Sequence, residues 1–254
     1  MNRDSRVLRR SGLARRVAVI FSLAVAAGFL SKVRPLCAAL TNSPMSTALA
    51  EMVKPSKRLP FPEVILATTG HRVLTFDTNN PAHVELRQKI LRAAELTGER
   101  ARRQGITAAR ANEVGNHVEP IVRQALKDAG LEARVPETAA GRAQVVGYPD
   151  IELIGEMPCY LELKTFSAAT ADTTQRSFYY SPSATPKVTR DALHLLLAFE
   201  MQPLTLDGRA TLVPAHWKLL TLEDLEVDLK FEFNQSNRGL YRNRPAILSE
   251  GEIK

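Results

Sequence analysis

The chain has 254 residues, 44% hydrophobic and 24% charged, the balance of an ordinary folded protein; disordered, collagen-like and disulfide-stapled architectures are excluded. Cys37 and Cys159 offer neither metal-ligand spacing nor a disulfide framework. The net charge of +7 does not by itself point to a polyanion: Arg3, Arg6, Arg9, Arg10, Arg15, Arg16, Lys32 and Arg34 precede Met45 with Asp4 as the only acid, and the rest of the chain is balanced.

The leading segment, residues 1–44, joins a basic stretch to an apolar run, Val17 to Leu30, with small residues following at Ala38 and Ala39. This is the layout of an export signal, and its 14 apolar residues fall short of the roughly 20 needed to span a bilayer. Met45, followed by STALAEMVKPSKRLP, is a competing natural start that would make the leader dispensable. The expected organisation is this leader and then one domain over 45–254.

Residues 54–80 are rich in Pro, Gly and Asn and read as an irregular lead-in, with one short strand around Val64 to Ala67. Asn80-Pro81 is a helix start, and Val84, Leu86, Ile90, Leu91, Ala94 and Leu96 continue with helical spacing up to Gly98. A second helix should open near Thr107 and close at Gly130, with Gly115 and Pro120 arguing for a kink or break.

From Leu131 the period becomes strand-like. Short strands are expected at Ala133 to Val135, Ala143 to Ile154 and Cys159 to Phe166, the last two joined by a turn at Gly155-Glu156. Pro186 is expected to begin a helix through Leu193, Leu195, Leu196, Leu197 and Phe199. A strand from Thr211 to Leu220 follows, then one from Leu225 to Phe233 whose alternation predicts one buried and one wet face. The fold class is α/β, of α+β type.

The chemistry concentrates in residues 147–166, GYPDIELIGEMPCYLELKTF. Side chains two apart on a strand share a face, so Glu162 and Lys164 project together while Leu161 and Leu163 face the core. The turn folds the strand beginning at Asp150 back onto the one ending at Lys164, so two carboxylates and an ammonium meet at one sheet edge. Carboxylates brought together repel unless a cation cancels the charge, and Mg²⁺ held by one or two carboxylates keeps sites for a phosphate oxygen and a water. Lys164 would orient that water, accept its proton or neutralise developing charge. Glu152 shares the face of Asp150 and could assist it. Read blandly, the same residues are a solvated hairpin with a Glu-Lys surface pair.

This arrangement resembles the PD-(D/E)XK nuclease superfamily, whose core is a helix, a three-stranded meander, a second helix and a further strand. The resemblance covers about residues 107–221. It implies Asp150 and Glu162 as metal ligands, Mg²⁺ as cofactor and Lys164 as the catalytic lysine. Gly115-Asn116-His117-Val118-Glu119, followed by Leu126 and Gly130, is similar to the family's first-helix pattern, which implies Glu119 as a fourth site residue with Glu113 as the alternative. Within the superfamily the type II restriction endonucleases look closest. That likeness implies double-stranded DNA as substrate, a homodimer cutting both strands, a possible cognate DNA methyltransferase, a cytoplasmic location and no stable membrane partner.

Two polar segments carry residue types suited to bases or phosphates: Gln175, Arg176, Tyr179 and Lys187 in one, and Asn234, Gln235, Asn237 and Arg238 in the other. The five histidines are scattered, with His194 expected in an apolar helix; no Gly-x-Ser-x-Gly elbow or Gly-rich phosphate loop is present. Two rival functions stay open: a nuclease reading DNA structure rather than sequence, and a non-enzymatic exported binding domain.

Overall fold

A computed structural model describes residues 44–107, 114–174, 176–242 and 247–252. The chain divides into two compact units after Lys54. The described part of the first is one exposed helix, α1 (Pro44–Met52). Among the described residues no helix is long and apolar enough to cross a membrane.

The second unit opens on β1 (Ser56–Pro60) and α2 (Phe61–Thr69). The expected strand at Val64 to Ala67 is therefore the middle of a helix: Pro60 and Pro62 set its first turn, and Gly70, at φ 77°, closes it. After β2 (Val73–Leu74), α3 (Pro81–Gln104) begins where the sequence predicted, the Asn80 side chain accepting the Ala82 amide at 2.9 Å. It runs past Gly98 to Gly105, because a single interior glycine costs only about 1 kcal/mol and packing along the helix outweighs it. The second predicted helix is α4 (Val114–Asp128), continuous through Pro120; its expected start near Thr107 and the alternative Glu113 adjoin or lie in 108–113, outside the described residues.

The meander is present: β3 (Glu132–Arg134), β4 (Ile151–Ile154) and β5 (Cys159–Phe166) pair antiparallel in that order. The expected strand from Ala143 is shorter than predicted. Residues 136–144 instead fold back on themselves through a Glu137–Ala143 bridge, and ladder pairing starts only at Ile151.

The largest departure lies beyond β5. The predicted helix from Pro186 is the start of β6 (Ala192–Leu206), which runs parallel to β5 and is joined to it by one 3₁₀ turn, Ala168–Thr170, and irregular chain. Among the described residues no α-helix occupies this crossover. The apolar run from Ala192 to Phe199 reads as a helix because it does not alternate; it does not alternate because β6 is the central strand, buried on both faces. One edge of β6 pairs with β5, the other with β2 and then β7 (Arg209–Thr221). Asp207 and Gly208, at φ 49° and 75°, make the two-residue hairpin between β6 and β7. Finally β8 (Glu226–Leu229) leaves the main sheet and pairs with β1; of the face expected to be buried, Leu225 and Val227 are partly buried against the smaller core while Leu229, Phe231 and Phe233 are exposed. A short helix, α5 (Asn237–Tyr241), follows.

The mixed six-stranded sheet is covered on both faces. One face carries Ile151, Leu153, Cys159, Leu161, Leu163, Leu193, Leu195, Leu197 and Phe199, in one core with the apolar sides of α3 and α4. The other carries Tyr160, with a smaller core built from Phe61, Ile65, Tyr148, Val188, Ala192 and Leu222. Alternation along β4, β5 and β6 puts Asp150, Glu152, Glu162 and Lys164 on this second face, as the two-residue spacing requires.

Candidate active site

The register of β4 and β5, Ile151 opposite Leu161, extends by one residue to set Asp150 opposite Glu162. Asp150 is half-buried, and its Oδ2 accepts the Leu163 amide at 2.7 Å. Glu162 is 4% exposed. Its Oε1 accepts from Lys164 Nζ, which also donates to the Leu163 carbonyl at 3.2 Å, while its Oε2 is buried with no hydrogen-bond partner. Burial pushes the Glu162 carboxyl up to about 7, the negative charge of Asp150 adds to the rise, and Lys164 and Lys187 oppose it.

Glu119 approaches from α4, half-buried, with Arg123 Nε 3.7 Å away. Burial raises its carboxyl above the ordinary range, and Asp150 pushes it further while Arg123 and Lys187 hold it down. The structure thus brings together Asp150, Glu162 and Lys164, three of the residues singled out from sequence, with Glu119 near enough to feel the charge of Asp150.

Lys187 joins them unexpectedly. Sequence reading placed it on a polar loop as a DNA contact; it is 4% exposed, and its Nζ donates to the Gly147 carbonyl and, at 3.2 Å, to that of Gln144. Burial lowers its pKa, and Asp150, Glu162 and Glu119 counteract that by favouring the ammonium. Its neighbour Val188 is buried in the same small core as Ala192, but Thr189, Arg190 and Asp191 between them leave no apolar pattern in the sequence to announce it.

Glu152, weighed from sequence as an auxiliary ligand, is 3% exposed and held between Arg134 Nε at 3.0 Å and Arg190 Nη2 at 3.1 Å, an ion-paired structural arrangement. Arg176 is exposed, 3.6 Å from Glu232 and stacked near the Tyr179 ring; Asn237 and Arg238 are exposed on α5; Gln175 lies outside the described residues. Cys159 is buried, and burial drives its thiol well above the ordinary range. His194 lies on β6 rather than a helix, and its Nδ1 is 2.6 Å from the Tyr148 hydroxyl.

Among the described residues no group of three or more His, Cys, Asp or Glu side chains is gathered closely enough to hold a metal by itself. The acidic pair does fit a divalent cation in another respect. Two carboxylates face each other, one of them with a buried oxygen lacking any donor, and Mg²⁺ takes only one or two protein carboxylates. An open groove of about 290 Å³ between α3 and β7, beside the exposed Trp217, lies away from these groups.

A mixed sheet with a helix layer on one side and an acid–amine cluster at the β4–β5 hairpin defines a restriction-endonuclease-like α+β protein. The comparisons agree. The sequence profile of the type II restriction enzyme MjaV family matches residues 54–244, and the chain belongs to that family. It is 31% identical over 227 residues to the type II restriction enzyme MjaV of Methanocaldococcus jannaschii, an alignment covering 83% of this chain and 96% of that protein. No solved structure matches the chain.

Proposed function

We propose that the protein is a site-specific endonuclease that hydrolyses phosphodiester bonds of double-stranded DNA with Mg²⁺, using PD-(D/E)XK chemistry. The observation that carries the proposal is the buried, donor-less Oε2 of Glu162, set beside Asp150 and Lys164 in a chain of a restriction-enzyme family. Asp150 and Glu162 would hold Mg²⁺, which when bound supplies Lewis acidity and a water of lowered pKa.

The remaining work belongs to the side chains. The Leu163 amide fixes Asp150 against β5, so the first carboxylate is set by backbone rather than by a mobile partner. Lys164, its side chain one-quarter exposed, can reach substrate while Glu162 and the Leu163 carbonyl aim its ammonium. From there it orients the attacking water or takes up charge developing on the phosphate. Glu119 adds a third acid from α4, its carboxyl raised above the ordinary range chiefly by burial. A homodimer would set two such sites on the strands of a symmetric sequence, and a methyltransferase of matching specificity would protect the host DNA.

The test is digestion of phage DNA by the purified protein. Discrete, reproducible fragments with Mg²⁺ and none with EDTA are expected. Random nicking, or cutting confined to branched or single-stranded substrates, would replace sequence-specific cleavage with a structure-reading nuclease. Absence of any cleavage or DNA binding would end the proposal.

A further inference from the structure

The chain between β3 and β4 is fixed to an unusual degree for a surface loop. Residues 136–144 close on themselves: the Thr138 amide donates to the Arg142 carbonyl at 2.8 Å and the Gln144 amide to the Pro136 carbonyl at 3.1 Å. The Ala139 amide donates to the Pro186 carbonyl at 2.8 Å, tying the loop to the segment that carries Lys187. Lys187 then grips the carbonyls of Gln144 and Gly147, and the Gln144 side chain donates to the Val146 carbonyl at 2.8 Å. Between the two carbonyls held by Lys187 stand Val145 and Val146, 62% and 78% exposed. Three residues after Gly147 comes Asp150.

Burying a lysine carries a substantial desolvation cost, and loop carbonyls can be satisfied by water at far less. The expenditure makes sense if the position of the loop matters for something outside the fold. The charge of Lys187 answers the acids, but the two side chains displayed between the carbonyls it holds are apolar and in solvent, so their placement gains nothing within the fold. Adjacent exposed valines on a fixed loop are suited to base edges, where methyl contacts distinguish thymine, and to wedging against a base step. Lys187 also links this loop to the acids, because Asp150, Glu162 and Glu119 are the carboxylates that favour its charge.

We propose that Lys187 is a positioning residue that fixes the Gln144–Gly147 loop against the acid cluster, so that Val145 and Val146 contact duplex DNA bases beside the scissile phosphate and contribute to site recognition. This inference rests on the endonuclease reading above and deepens it.

The experiment first maps the site cut by the full-length protein. It then compares kcat/KM on a duplex carrying that site and on duplexes with each single-base change, for wild type and for Val145→Ser with Val146→Ser. The double variant should lose about tenfold or more in kcat/KM on the mapped site and discriminate less among the single-base changes, as loss of a base contact implies. Its melting temperature and its stabilisation by Mg²⁺ should match wild type, because both valines are exposed. Lys187→Met, if it melts cooperatively, should show the same loss of discrimination. Wild-type discrimination in the valine double variant, or in a folded Lys187→Met protein, overturns the inference while leaving the nuclease reading intact. If Lys187→Met does not fold, the valine variant decides alone. A wild-type protein that neither binds nor cuts DNA overturns the nuclease reading, and with it the inference.

Discussion

Asp150 is fastened to the strand that carries its chemical partners: its Oδ2 accepts the Leu163 amide at 2.7 Å, and Leu163 lies between Glu162 and Lys164. One hydrogen bond thereby fixes the spacing of both acids and the amine. It also explains why the two carboxylates stay opposed rather than swinging apart, since relaxing Asp150 would leave a strand amide without its acceptor.

Mg²⁺ should therefore stabilise the fold as well as enable cleavage. At a hundred times its Kd, a ligand of the native state contributes about 2.7 kcal/mol, on the order of 5–10 °C in Tm for a domain of this size. Asp150→Asn and Glu162→Gln should each abolish that shift and slow cleavage by about 10³-fold or more. Thermal melts with and without Mg²⁺ check this without any DNA; a full Mg²⁺ shift in Glu162→Gln would remove the acidic pair as the cation site.

Lys164 separates chemistry from binding. Lys164→Ala should cut at about 10⁻³ of the wild-type rate or less, while its Kd for DNA stays within about threefold, because a single phosphate-facing amine is a small part of a duplex footprint. Single-turnover cleavage and a gel-shift titration measure the two separately. Cutting at wild-type rate would exclude Lys164 from the mechanism.

Glu152 should behave differently from its neighbours on the same face. Its carboxylate is neutralised by Arg134 and Arg190, so Glu152→Gln should cost about 1–3 kcal/mol in urea unfolding, the range for breaking a buried charged hydrogen-bond pair. Cleavage at saturating Mg²⁺ should stay within about threefold of wild type. A loss as deep as that of Glu162→Gln would make Glu152 a member of the site.

The hairpin was legible because it is local. Strand β5 has the bounds that period and turn residues predict, and Asp150, Glu162 and Lys164 follow from a two-residue repeat and one turn. Elements whose identity depends on distant partners were not legible. Strand β6 is read as a helix because burial on both faces erases alternation; the Asp207-Gly208 dipeptide was the available sign of a hairpin. Strand β8 finds its partner in β1, some 170 residues earlier, and a pattern within nine residues carries no trace of that. Lys187 was misplaced for a related reason: a polar residue in a Pro-, Ser- and Thr-rich stretch looks solvated until the loop before Asp150 folds over it.

Residues 1–44 should be dispensable for the chemistry. The compact unit bearing the acids begins at Pro55, and the family match begins at residue 54. Protein started at Met45 should cut the same sites at the same rate and melt at the same temperature as the full chain. Loss of folding or cleavage on truncation would assign the leader a structural role.

His194 gives the fold a built-in acid sensitivity. It is 1% exposed, among Phe61, Tyr148 and Tyr160, and burial pushes its pKa down from 6.5 to about 3. Burial also drives the Tyr148 phenol well above its ordinary value, so a neutral phenol and a neutral imidazole share the hydrogen bond of 2.6 Å at Nδ1. Because the folded value lies below the unfolded one, the unfolded chain takes up the proton first as pH falls. Stability from this group is present above about pH 6.5 and lost progressively toward pH 3. Between pH 7.5 and pH 5 the loss should be about 2 kcal/mol at 1.36 kcal/mol per unit. His194→Gln keeps a hydrogen-bond partner for Tyr148 and removes the titration. Urea unfolding at the two pH values should show the wild type falling by about 2 kcal/mol more than this variant. Equal losses in both proteins would mean that His194 takes up its proton in the native state as readily as in the unfolded chain, and that its aromatic surroundings are wetter than its burial implies.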